Sequence, residues 1–167
     1  MERYERRRDE ESRIRIEWNC LLRLANKYRR DAEKCLEHKA YFAGLVALRA
    51  ALETILIARL LLIIWDVATD DEAFNEEVRK SGIEITYDAM VVPEERIGLK
   101  SLIETCRRME LLDEKAAKAA HRIREWGNRI HCFQVFKAQA VPSVRKRDLQ
   151  RRFNDLKIVI ERLEMTL

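Results

Sequence analysis

The chain has 167 residues, 33 Lys/Arg against 29 Asp/Glu and a net charge of +4, and its 47% hydrophobic content is enough to bury one core without disulfide or metal staples. Only four Gly and two Pro interrupt it, which argues against a turn-rich sandwich or barrel and for an all-α bundle. Cys20, Cys35, Cys106 and Cys132 are widely separated, with no Cys-x-x-Cys pair and no Cys/His spacing for zinc, so buried free thiols in a reducing cytoplasm are expected and no metal or cofactor is called for.

The first eighteen residues interleave six Arg with six Asp/Glu and lack an apolar segment, so no secretory signal is read there. A single domain over 1–167 is expected, with 1–12 as a charged helical extension. From about Asp9 to Glu37 the positions Ile14, Trp18, Leu21, Leu22, Ala25, Tyr28, Ala32, Cys35 and Leu36 recur at three and four residues, which predicts a long amphipathic helix. Glu37-His38-Lys39 allows a tight reversal. Tyr41, Leu45, Leu48, Leu52, Ile55, Leu56, Leu60 and Ile63 then continue the period to about Val67, giving an antiparallel helix hairpin.

The longest apolar run, Ile55 to Trp65, is interrupted by Arg59 and falls short of the ~20 residues that span a bilayer, so no membrane partner is expected. Apolar all round, it belongs at the bundle centre or at a subunit interface. Thr69-Asp70-Asp71 can cap a short helix through Lys80, closed by Ser81-Gly82. Residues 83–93 lack helical period and are rich in Ile, Val, Thr and Tyr, which predicts an extended connector or small hairpin. Leu99 to Leu111 and Asp113 to Phe136 read as two helices. Pro142 marks a break, after which Ser143 can cap a last helix reaching about Met165.

The helix predicted from Asp113 carries the segment with the most chemistry, Arg124-Glu125-Trp126-Gly127-Asn128-Arg129-Ile130-His131. At ~100° and ~1.5 Å per residue, Arg124 and His131 return to one face roughly 10.5 Å apart, with Asn128 between them. A guanidinium holds a phosphate in a fixed fork, and an imidazole exchanges a proton near neutral pH. Together they suit phosphodiester cleavage in RNA, where the 2′-hydroxyl is an internal nucleophile and proton transfer with charge stabilisation suffices. His121 points about 80° away from His131. Gly127 inside a strong helix costs ~1 kcal/mol relative to Ala, which calls for a close approach by a neighbouring helix or a bound backbone.

Between Gly98 and Arg152 there are fourteen Lys/Arg against six Asp/Glu. Part of this excess is Arg145-Lys146-Arg147 with Arg151-Arg152, a cluster suited to a phosphate backbone or, more plainly, a solvated helix face. Arg129 belongs with Arg145, Lys146 and Arg147 as a candidate substrate-binding group. Arg49 and Glu53, four apart, read most simply as an intrahelical ion pair, with support of the site as the alternative. Trp126 and Phe133 fit core or dimer packing better than base stacking. Cys132 turns about 100° away from His131, so no Cys/His couple is expected.

Arg124 followed by Gly127-Asn128 and then His131, on the penultimate long helix of an all-α domain, resembles the HEPN superfamily (higher eukaryotes and prokaryotes nucleotide-binding), whose signature is an arginine, four to six intervening residues and a histidine. Ala32, Leu36, Tyr41, Ala47, Arg49, Leu52 and Glu53 look like that family's opening hairpin, so the resemblance covers roughly Asn19 to Phe136. Gly127-Asn128 is similar to the subgroup found beside restriction and defence genes. The resemblance implies a homodimer in which two Arg/His stripes meet in one cleft, and a metal-independent endoribonuclease in a toxin or defence role, cytoplasmic and with an antitoxin as a possible partner. Mapped onto this chain, Arg124 holds the phosphate, His131 transfers the proton and Asn128 assists, with Arg49, Glu53 and Gly127 in support. Glu125 departs from the commoner motif, since an acid facing the cleft repels phosphate. The rival expectation is a non-catalytic HEPN module that binds a nucleotide, a nucleic acid or an antitoxin.

Overall fold

The computed structural model describes residues 2–67, 76, 84–85, 90–91, 98–130 and 139–165, with side chains at Arg15, from Trp18 to Ile63, at Glu76 and throughout the last two segments. Helix α1 covers Glu2–Glu37 and α2 covers Tyr41–Val67, an antiparallel hairpin. The remaining helices are α3 (Leu99–Arg108), α4 (Glu114–Arg129) and α5 (Lys146–Arg162). The fold is an all-α bundle. Within the connector, β1 (Glu84–Ile85) pairs antiparallel with β2 (Met90–Val91), so the small-hairpin alternative describes this segment.

Helix α1 begins at Glu2, seven residues before the apolar period does. Its opening turns are Arg and Glu, good helix formers that leave no hydrophobic period to read. Its reversal is closed by the Ala40 N–H donating to Cys35 O at 2.8 Å, with Lys39 at φ 60°, a left-handed helix end on a residue that is not glycine. The same device recurs twice. Glu110 at φ 57° ends α3 while Leu111 N–H bonds Cys106 O at 2.9 Å, and Glu164 at φ 54° closes α5 as Met165 N–H bonds Ile160 O at 3.3 Å. Helix α3 therefore stops at Arg108, short of the expected Leu111, because the reversal returns Leu111 and Leu112 to the core.

Helix α2 is the centre of the bundle, packed against each of the other four helices. Leu45, Leu48, Leu52, Ile55, Leu56 and Leu60 are fully buried or nearly so, and Ala51 and Ala58 close the gaps between them. Of the two places open to the Ile55 run, the bundle centre holds Ile55, Leu56, Ala58, Leu60 and Leu61. Among the described residues no helix is long and apolar enough to cross a membrane.

Helix α4 starts where expected. Asp113 accepts the Ala116 N–H at 2.7 Å, and Ala116, Ala117, Ala119 and Ala120 give α4 a thin face that lets its neighbours approach closely. The expected continuation to Phe136 passes beyond Ile130, and the Thr69–Lys80 helix, except for helical Glu76, also lies outside the described residues. Helix α5 begins at Lys146 with Arg145 as its N-cap, and the Asp148 carboxylate accepts the Arg145 N–H at 3.0 Å. This corrects the Ser143 cap: Val144 packs against the core, and the helix opens only after it.

Candidate functional site

Around the α4 axis, Gly127, Arg124 and Asn128 occupy an arc of about 100°. Gly127 is buried; Arg124 and Asn128 are half-buried. The fourth member of the stripe, His131, lies outside the described residues, as do Cys132 and Phe133.

The reason for Gly127 is Arg49. A Cβ on Gly127 would meet Arg49 Cδ at 2.6 Å and Arg49 Cβ and Cγ at 3.4 Å each, so the arginine's alkyl stem lies in the recess the glycine leaves. Of the two approaches considered, a neighbouring helix supplies this one, through a side chain of α2. Arg49 thus reaches α4 within one turn of Arg124 and Asn128, joining the opening hairpin to the stripe. It does so without the expected intrahelical partner: among the described residues no ion pair joins Arg49 to Glu53. The close approach to Gly127 carries the Arg49 stem toward α4 instead of along its own helix.

Arg124 is 20% exposed and its Nε is buried with no hydrogen-bond partner among the described residues. Its Nη2 stands 3.5 Å from Oε1 of Glu125, whose side chain is 57% exposed. Glu125 therefore leans back from the solvent side of α4 to the guanidinium it follows. A carboxylate this exposed is strongly screened and releases its partner at little cost.

Arg129 is exposed and sits over the Trp126 ring, 5.0 Å from the centroid. Trp126 is half-buried against the core, in line with the packing expectation. Arg145, Lys146 and Arg147 are all exposed. Two contacts fix how α5 runs along α4: Arg122 Nε donates to Asp155 Oδ1 at 3.0 Å, and Arg162 Nε lies 3.6 Å from Asp113 Oδ2. In that antiparallel register Arg147 is level with Ile130, eight residues and roughly 12 Å from the Arg122–Asp155 contact on either helix. The basic triplet thus gathers at the end of the bundle to which the Arg124 stripe leads.

Arg152 does not join it. This residue is buried, its Nε 2.9 Å from Asp155 Oδ2, and Asp155 is 5% exposed. Burial is the main pressure lowering the Arg152 pKa, opposed by the charge of Asp155. The expected Arg151-Arg152 phosphate pair is corrected to Arg151 alone, because Asp155, three residues on, draws Arg152 into the α4–α5 seam. Sequence reasoning missed this Arg122–Asp155–Arg152 triad, although the i, i+3 spacing of Arg152 and Asp155 is visible. His121 is likewise an interhelical contact, with Nε2 2.9 Å from Glu104 Oε1 of α3.

The thiols differ. Cys106 is buried, and that burial pushes its pKa up to about 12 against a smaller opposing pull from Arg59. Cys35 is half-buried, whereas Cys20 is exposed, which corrects the expectation of uniformly buried thiols: Cys20 falls on the outer side of α1.

No protein-family model, curated protein or solved structure matches this chain.

Proposed function

We propose that this chain is a metal-independent endoribonuclease of the HEPN kind, acting as a homodimer through a cleft to which each subunit brings Arg124, Asn128 and His131. The observation that carries the reading is the half-buried Arg124, beside Asn128 and the Arg49 stem in the Gly127 recess, leading toward the exposed Arg145–Arg147 triplet. Arg124 would bind the non-bridging phosphate oxygens and Asn128 would donate a hydrogen bond to them. His131 would serve in proton transfer as the ribose 2′-oxygen attacks phosphorus, leaving a 2′,3′-cyclic phosphate on one fragment and a 5′-hydroxyl on the other. Arg129, Arg145, Lys146 and Arg147 would hold the flanking phosphates. A toxin or defence role, with an antitoxin that covers the cleft, accords with such an activity.

One observation favours a second reading. Glu125 stands 3.5 Å from Arg124 and offsets part of its charge, which suits a module that binds nucleotide, nucleic acid or an antitoxin without cleaving. The deciding experiment incubates structured and unstructured RNA with the protein in EDTA. Cleavage that Arg124→Ala and His131→Ala abolish supports the enzyme. Salt-sensitive binding without cleavage supports the module, and cleavage indifferent to both substitutions rejects the site.

A further inference from the structure

Helix α1 buries one line of residues and turns the opposite line to solvent. With Ala25 at 0° and Ala32 at about 340°, both fully buried where α1 packs on α2, ~100° per residue puts Arg30, Arg23, Lys34 and Lys27 at about 140°, 160°, 180° and 200°. All four are exposed. They form a straight line of cations about 16.5 Å long on the outer edge of the hairpin, and no other residue between Trp18 and Glu37 falls within that arc of about 60°.

Such a line works against the helix that carries it. Arg23 and Lys27 are four apart, Lys27 and Arg30 three, Arg30 and Lys34 four, spacings at which like charges repel. Nearby acids relieve little of this. Glu33 turns its Oε1 to Arg29 Nη1 at 3.1 Å, and Lys34 Nζ stands 4.0 Å from Asp31 Oδ1. Arg23, Lys27 and Arg30 have no ion pair among the described residues. By contrast, exposed Lys118 and Lys157 meet Glu114 and Glu161, four residues away on their own helices, at 3.0 and 3.7 Å.

We propose that this face of α1 binds the phosphate backbone of duplex nucleic acid. What shares the arc selects the occupant, and only cations do. A protein partner calls for an apolar anchor at the centre of its contact, and a membrane surface calls for an apolar helix face free to enter it, whereas the apolar side of α1 lies on α2. A single strand calls for aromatic platforms, and Trp18 and Tyr28 are half-buried outside the arc. A duplex needs neither, because counterions released from its rigid rows of phosphate reward a line of charge by itself. Contacts of this kind place a helix on the duplex without reading its sequence. The assignment goes beyond the ribonuclease reading: α2 stands between α1 and α4, so the line faces away from Arg124.

Fluorescence anisotropy across a salt series tests the proposal, with labelled duplexes of DNA and of 2′-O-methyl RNA, which lacks the internal nucleophile, and the matching single strands. The wild type is expected to bind duplex, and the duplex bound more tightly identifies RNA or DNA as the polymer. The quadruple variant Arg23→Gln, Lys27→Gln, Arg30→Gln, Lys34→Gln is expected to bind at least about tenfold more weakly at low salt. Its slope of log affinity against log salt should fall by about 3.6, roughly 0.9 per charge, with helical circular dichroism unchanged. Lys27→Arg should keep the full slope. Unchanged affinity and slope in the quadruple variant, tighter binding of the single strand than of the duplex, or binding of phosphatidylserine vesicles without either duplex overturns the proposal. Unmodified RNA left intact in EDTA while the duplex still binds through these four residues overturns the ribonuclease reading and spares the line.

Discussion

The alkyl stem of Arg49 lies on the backbone of Gly127, so close that a single added carbon would meet Arg49 Cδ at 2.6 Å. This contact ties the central helix of the hairpin to the helix that carries Arg124. It also accounts for a glycine in the middle of α4 that helix propensity disfavours by ~1 kcal/mol.

The first expectation concerns that contact. Gly127→Ala alone should destabilise the fold by about 1–2 kcal/mol, because Arg49 Cδ must move out of the recess and the gain in helix propensity does not offset the overpacking. In an Arg49→Ala background the recess is vacant and the same substitution should become stabilising by up to ~1 kcal/mol. Urea midpoints of the four proteins in the cycle measure the reversal, and a Gly127→Ala effect with the same sign in both backgrounds would contradict the contact.

The α4–α5 seam depends on one acid. Asp155 is buried between Arg122 and Arg152, so Asp155→Ala leaves the Arg152 cation without its close partner and should cost about 3–5 kcal/mol. Replacing the half-buried Asp148→Ala, which loses the capping interaction with the Arg145 N–H, should cost about 1 kcal/mol. Thermal unfolding of the pair of variants separates the two magnitudes.

Glu125 tempers Arg124 from a position that is mostly solvated. Glu125→Gln should tighten RNA binding at low salt by about two- to fivefold, a small effect because the exposed pair is screened. Filter binding across a salt series reads both the gain and its disappearance at high salt. Weaker binding in Glu125→Gln would mean that Glu125 itself contacts the ligand.

Cys106 sets an alkaline limit. Its folded pKa is raised from 9.0 to about 12, so between those values the unfolded chain has released a proton that the folded chain retains. Stability is then unaffected well below pH 9 and falls as pH rises above it, by about 1.4 kcal/mol per pH unit until pH approaches 12. Cys106→Ala should flatten this part of the stability curve, measured by urea unfolding from pH 8 to 10.5. At pH 8 a thiol reagent should label exposed Cys20 in the native protein and reach Cys106 only on unfolding.

Much of this architecture is local and therefore legible. The three-and-four spacing of Ala25, Tyr28 and Ala32, and of Leu45, Leu48 and Leu52, specifies which side of each hairpin helix is buried, because a helix of fixed pitch must place those residues together. The Asp113 cap and the non-helical segment near 83–93 are visible because their signals are local too, whereas the choice between an extended connector and a small hairpin was left to the β1–β2 pairing. Helix ends were less so. Lys39, Glu110 and Glu164 reverse the chain where glycine would be the usual signal, and only the packing that follows each of them selects that strained backbone.

The stripe divides in the same way. The sequence by itself determined that Arg124, Gly127 and Asn128 share one side of a helix, since pitch alone sets their angles. Only the tertiary structure decided that Arg49 fills the glycine recess, that Arg122 of α4 meets Asp155 of α5, and that Arg152 is buried beside them. Each of these depends on which side chain a neighbour brings within a few ångströms and how much water remains between them, quantities that no spacing along one helix contains.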